Sequence, residues 1–328
     1  YGDGSNLTGL SAGGCLKLIA DGNYISDGSC SGCSLSGDDN VLLGRCAGKN
    51  NTSGNKNVVI GCKAGFTNSS GNANVFLGDG AGYSSTGNNN VMIGHQAAYY
   101  RTGGDNVFLG RYAGYNNTGQ SGSYNFGVGY TVLGGSGGSG SHNMAVGYRA
   151  GQSVSGGNDN TLIGRDSGRN MTSGSNNFAV GCKALGTGAV SGSHNIALGR
   201  YAGDAVTSGN SNILLGCRAG SGLQGGGYNI AFGNCAGRNN VSGNYNIFMG
   251  RYAGQEVTGS YNIVIGDEGD RALSSGNYNV AIGHEVHVAS ATGDTQLAIG
   301  CGTSNWISGD SSFNVFLGGS GGKVGIGT

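Results

Sequence analysis

The sequence predicts an all-β fold, a parallel β-solenoid or β-roll of about 17 coils, and three observations point to it. First, an asparagine followed by three mostly apolar residues and a glycine recurs roughly every seventeen residues. The asparagines are Asn40, Asn57, Asn74, Asn90, Asn106, Asn125, Asn143, Asn160, Asn177, Asn195, Asn212, Asn229, Asn246, Asn262, Asn279 and Asn314, with Gln296 holding the one missing place. Second, there are 73 glycines in 328 residues and no proline. Without a three-residue glycine period this is not collagen, and the dense valine and isoleucine argue against a disordered linker. Third, the apolar runs after each asparagine are short and rich in β-branched residues, as strands are.

Each coil opens on that strand, as in Asn40-Val41-Leu42-Leu43-Gly44 and Asn195-Ile196-Ala197-Leu198-Gly199. A segment of the form x-x-Ala-Gly follows: Arg45-Cys46-Ala47-Gly48, Arg111-Tyr112-Ala113-Gly114, Arg200-Tyr201-Ala202-Gly203 and Arg251-Tyr252-Ala253-Gly254. Its small residues suit the tight far side of a flattened coil, and a second short strand is expected there. A polar stretch such as Asn50 to Gly54 closes the turn with residues that tolerate positive φ. Residues 1–39 read as an N-terminal cap or connector, 40–318 as the repeat domain and 319–328 as a C-terminal connector.

Stacked about 4.8 Å apart, the repeated asparagine amides can bond along the stack or cap the backbone where the loop enters the strand. Strand residues alternate faces. If the first and third residues after the asparagine fill the coil, the second points outward, and it is never polar. Leu42, Val59, Phe76, Met92, Phe108, Leu162, Leu214, Phe248, Val264 and Phe316 mark this column. Such a stripe, on the order of 80 Å tall at 4.8 Å per rung, exceeds what a soluble monomer exposes and is expected to meet another copy of the chain.

The Asn-Val-Phe-Leu-Gly-x-x-Ala-Gly unit with its Thr-Gly-x-Asn loop resembles the repeats of bacteriophage long tail-fibre proteins and related bacterial surface proteins. It is also similar to the Val-Ala-Ile-Gly repeats of trimeric autotransporter adhesin heads. The resemblance spans residues 40 to 318, and the segments Gly2 to Leu10 and Gly322 to Thr328 resemble those that flank such repeats in phage fibres. It implies a left-handed parallel β-roll, a homotrimer, and an extracellular place on a virion or a cell surface. The repeat is about three residues longer than that of the adhesin heads, and no coiled-coil stalk, anchor strands or chaperone domain is read in the chain.

Lys+Arg and Asp+Glu balance at 17 each, so no field steers nucleic acid or an anionic membrane, and no apolar run approaches the length of a spanning helix. Among nine cysteines, Cys46 with Cys62 and Cys217 with Cys235 lie one coil apart at adjacent positions, within disulfide reach, while Cys30 and Cys33 could close a small loop. Cys15, Cys182 and Cys301 remain, and burial as small hydrophobes is the alternative for all of them. His284 and His287 fall on opposite faces of a strand-rich coil, and Asp267, Glu268 and Asp270 read as a solvated loop. No catalytic constellation, metal site or cofactor is expected.

What remains for recognition is the loop surface. Tyr112, Tyr201 and Tyr252 among its tyrosines, and the single Trp306 beside Asn305 and Asp310, are candidate contacts for a host-surface glycan or protein receptor. Laddering of tyrosines on one another is the alternative. The stretches Gln120 to Tyr124, Gly134 to Gly140 and Gly220 to Gly227 stand out as departures from the regular loop. Sequons at Asn6, Asn50, Asn51, Asn68, Asn116, Asn170 and Asn240 matter only on a glycosylating route. Two functions follow as expectations: a phage or virus tail-fibre segment that contacts a host receptor, or a secreted or cell-surface fibre made by a cell.

Overall fold

The computed structural model describes residues 16–19, 23–26, 31–32, 35–116, 121–135, 139–271, 273–312 and 314–318. The chain forms two compact units, residues 1–158 and 159–328. In the first, β1 (Leu16–Ile19) and β2 (Asn23–Ser26) pair antiparallel, and β2 then pairs parallel with β3 (Val41–Leu43). The parallel ladder continues through β4 (Val58–Ile60), β5 (Val75–Leu77), β6 (Val91–Ile93), β7 (Val107–Leu109), β8 (Phe126–Val128) and β9 (Met144–Val146).

The second unit carries β10 (Thr161–Ile163), β11 (Phe178–Val180), β12 (Ile196–Leu198), β13 (Ile213–Leu215), β14 (Ile230–Phe232), β15 (Ile247–Met249), β16 (Ile263–Ile265), β17 (Val280–Ile282) and β18 (Leu297–Cys301), all parallel. Like residues lie opposite like throughout, so each repeat position becomes a column. Counted over both units, the repeat makes about 15 solenoid turns. The copy at Asn314 does not make another. There β19 (Ser304–Gly309) and β20 (Val315–Leu317) run antiparallel, as a hairpin on the edge of β18. The spacing from Gly300 to Asn314 is long enough for another coil, yet the chain turns back instead.

The core reverses the expected strand parity. Leu42, Val59, Phe76, Met92, Phe108, Leu162, Leu214, Phe248 and Val264, expected to point outward, are buried inside the coil, while the first and third residues of each strand face out. A three-residue strand gives a thin coil room for one large side chain per rung, and the central residue supplies it. The opposite wall is the buried alanine column Ala47, Ala64, Ala81, Ala97 and Ala113 in the first unit, with Ala202, Ala219, Ala236 and Ala253 among its counterparts in the second.

In most rungs the wall comes so close that the following residue is glycine, although Ala98 and Leu185 take that place after Ala97 and Ala184. A Cβ on Gly114 would lie 2.8 Å from the Phe108 ring, and one on Gly48 would lie 2.9 Å from Leu42 Cδ2. Between β7 and β8 a large residue meets a small one, since a Cβ on Gly127 would also meet Phe108 at 2.8 Å. This is interior packing at crystal-like density. Phe316, the last of the predicted column, lies on the hairpin and is exposed.

The x-x-Ala-Gly segments form turns rather than a second strand. Their second residue and closing glycine sit in the left-handed region, as at Cys46 (φ 58°) and Gly48 (φ 55°), which breaks strand geometry. Backbone bonds still tie each to the next coil: Lys63 N–H donates to the Arg45 carbonyl at 2.9 Å and Gly48 N–H to that of Ala64 at 2.9 Å.

Candidate functional site

The asparagine column is a polarised amide ladder. In the first unit Asn57 donates to Asn40 Oδ1 from both its backbone N–H and its Nδ2, each at 3.0 Å, and Nδ2 also donates to the Gly71 carbonyl at 2.8 Å. Asn74, Asn106, Asn125 and Asn143 repeat these bonds. In the second unit they recur at Asn177, Asn195, Asn212, Asn229, Asn246 and Asn279.

Gln296 still donates to Asn279 Oδ1, but its own Oε1 accepts from Ser290 N–H at 2.7 Å and the ladder stops. Asn314 belongs to a different arrangement, an exposed turn in which its amide donates to Asp310. The ladder is a structural device, and its burial keeps the amides out of reach of a ligand.

The surface with interaction chemistry is the outer strand face. Its two columns are the first and third strand residues, from Val41 and Leu43 to Met144 and Val146 in the first unit, and from Thr161 and Ile163 to Leu297 and Ile299 in the second. Thr161 is the one polar residue among them, and none is charged. Leu77 is 41% exposed and Phe232 53%. In the second unit the face measures about 10 Å by about 38 Å, on the order of 400 Å², which is within the range of functional patches on monomers. An aspect of the sequence could have found it: these two columns are also almost free of polar residues, so every strand column is apolar and parity had to come from coil thickness.

Cys62, Cys182, Cys217, Cys235 and Cys301 are free thiols. The expected bridges Cys46 to Cys62 and Cys217 to Cys235 do not form, because the offset of one position gives each thiol a different neighbour. Arg45 Nη2 donates to Cys62 Sγ at 3.4 Å and Arg165 Nη2 to Cys182 Sγ at 3.2 Å, while Cys46 belongs to the next column. Cys30 and Cys33 lie outside the described residues, as do Cys15 and both segments that resemble phage-fibre flanks.

Tyrosine faces are largely occupied. Arg111 lies 4.8 Å over Tyr112, three cations surround Tyr201, and Arg251 and Arg271 lie 5.3 and 5.7 Å from Tyr252. These guanidinium and ammonium groups take the ring faces that a sugar would need. Trp306, by contrast, is 63% exposed. The acidic residues pair with arginine: Asp267 and Glu268 lie 2.9 and 3.2 Å from Arg251, and the guanidinium holds the Asp267 carboxyl below its ordinary value. Asp270 is buried, which raises its carboxyl, and it lies 3.4 Å from His287 Nδ1. Among the described residues no group of three or more His, Cys, Asp or Glu side chains could hold a metal ion.

Asn51, Asn68, Asn116 and Asn240, four of the sequon asparagines, are buried in the loop wall and can carry no glycan in this fold. Asn6 lies outside the described residues. The loop Gly220 to Gly227 is no departure: Leu223 is buried and Gly222 N–H donates to the Arg238 carbonyl, so the segment follows the ordinary coil path. Gln120 and residues 136–138 of the other two stretches lie outside the described residues. No helix among the described residues is long and apolar enough to cross a membrane. No family model, no curated protein and no solved structure matches this chain.

Proposed function

We propose that this protein is a structural and adhesive fibre segment that assembles with copies of itself, as a trimer, through the outer strand face. The single observation that carries the reading is that face: two apolar columns without a charge, on a coil whose interior is already filled by the middle column. Packing with a second copy removes it from water and leaves the loops to meet a receptor. The free thiols of Cys62, Cys182, Cys217, Cys235 and Cys301 favour a fibre made in a reducing compartment, and so a virion appendage such as a phage tail fibre, over a secreted cellular filament. Exposed Trp306 is the side chain best placed on the surface to contact a host glycan or protein.

Two experiments test this. Electron micrographs of the native particle, with labelling of this chain, should place it on an extracellular appendage of a virion; labelling on a cell-borne filament selects the cellular fibre. In a whole-cell binding assay Trp306→Ala should weaken attachment of the intact assembly. Equal binding by both proteins, or binding by neither, reduces the segment to a passive spacer.

A further inference from the structure

Four exposed tyrosines in the second unit occupy the column just before the ladder asparagine, and their rings stack in sequence. Tyr228, Tyr245, Tyr261 and Tyr278 have centroids 4.8, 4.9 and 4.8 Å apart and interplanar angles of 2°, 11° and 8°. Stacking consumes ring faces. The inner rings Tyr245 and Tyr261 are 48% and 46% exposed, while the end rings Tyr228 and Tyr278 reach 56% and 58%. Only the end rings therefore keep one open face. Beyond Tyr278 the column continues with Thr295, which brings no ring.

That open end coincides with a hollow of about 300 Å³. Its cause is a missing side chain. Val280, Leu297, Gly309 and Val315 lie opposite one another across β17, β18, β19 and β20, and at Gly309 nothing fills the outer face between Leu297 and Val315. Asp310 closes one side. Its Oδ1 accepts Ser312 N–H at 2.9 Å and Asn314 N–H at 3.1 Å, while Oδ2 receives only the Asn314 amide at 3.0 Å and keeps acceptor capacity. The Asn314 bonds hold the Asp310 carboxyl below its ordinary value, so it is ionised at neutral pH.

We propose that this hollow is a subsite for one uncharged pyranose ring, with the sugar's C–H face over Val280 and the open face of Tyr278 and its hydroxyls donating to Asp310. The chemistry matches on both sides. A pyranose has an apolar C–H face and a rim of hydroxyl donors, and the hollow offers an aromatic and aliphatic platform beside a carboxylate with a free lone pair. Asp310 would repel an anionic sugar. Trp306 is not part of the subsite, because it alternates with Ile307 and Gly309 and so lies on the other face of β19. The subsite deepens the adhesive reading by naming a ligand class, and because Val280 and Leu297 also belong to the outer strand face, it is read both in the wild type and in the unassembled Ile213→Glu, Phe232→Glu, Met249→Glu chain.

The test is saturation-transfer NMR on the full chain with methyl β-D-glucopyranoside, methyl β-D-galactopyranoside and N-acetylneuraminic acid as probes. Transfer to the ring C–H protons of at least one neutral glycoside is expected in the wild type and in Trp306→Ala, with none to the acidic sugar. Thr295→Tyr should abolish it by laying a fifth ring over Tyr278. The variant should fold, because Thr295 (φ 56°) shares the backbone of Tyr278 (φ 57°). Tyr278→Ala should weaken binding by about tenfold or more, and Tyr278→Phe should retain it. Silence from both neutral glycosides in the wild type and in the triple glutamate chain alike, undiminished transfer in Thr295→Tyr, or equal transfer to the acidic sugar overturns the proposal. Sedimentation of the same samples keeps the two readings apart: silence in both the assembled wild type and the unassembled glutamate chain rejects the subsite and leaves the fibre standing.

Discussion

At the scale of single residues, the buried amide ladder sets what the repeat can tolerate. Asn57 Oδ1 accepts two donors from Asn74, at 3.0 and 3.1 Å, and Asn57 Nδ2 satisfies the Gly71 carbonyl. Asn57→Ala would orphan these groups in a dry wall, at a cost of about 1–3 kcal/mol for each that stays unpaired. Denaturant unfolding of the full chain should show a loss of at least about 2 kcal/mol, and Ser53→Ala on the exposed loop should show much less. The asparagine column was legible because a period survives any error about faces. The exposure of Trp306 was not, because it depends on the chain turning back after Gly300 instead of closing another coil.

At the scale of the element, strand parity decides which substitutions break the fold. Phe108→Ala empties the coil interior and should cost about 3–5 kcal/mol, as read by the thermal or denaturant midpoint. A charge at Phe76, Phe108 or Phe248 should unfold the chain rather than separate copies, since these rings lie inside the coil. Parity escaped the sequence for a physical reason: all three strand columns are apolar, so alternation carries no signal. What settles it is coil thickness, visible only when Gly48 and Gly114 are set against Leu42 and Phe108. The turn nature of x-x-Ala-Gly was partly legible, since glycine closes it, but the left-handed Cys46 was not.

The hairpin of β19 and β20 provides a pH test at the same scale. The carboxyl of Asp310 is lowered by its bonds to Asn314, so its contribution is fully present above the ordinary carboxyl range and is lost as pH falls through the lowered value. Trp306 in β19 reports on this hairpin. Its fluorescence should change in acid with a midpoint below that of a free aspartate, and Asp310→Asn should remove that transition. A midpoint at the free value would show that the clamp does not form.

At the scale of the whole molecule, the two outer columns are the proposed assembly surface. In the second unit Ile213, Phe232 and Met249 project from this face and are partly exposed, so glutamate at these positions stays solvated in a single chain. The same charges would be buried without partners wherever two faces meet. Fold and assembly therefore separate cleanly in one variant. Sedimentation of Ile213→Glu, Phe232→Glu, Met249→Glu against the wild type, with circular dichroism melts of both, tests the central claim most directly. The account predicts an oligomeric wild type and a variant that melts like it but sediments as one 32.5 kDa chain. A variant that keeps the wild-type assembled mass, or a wild type that is itself a single chain, would contradict it.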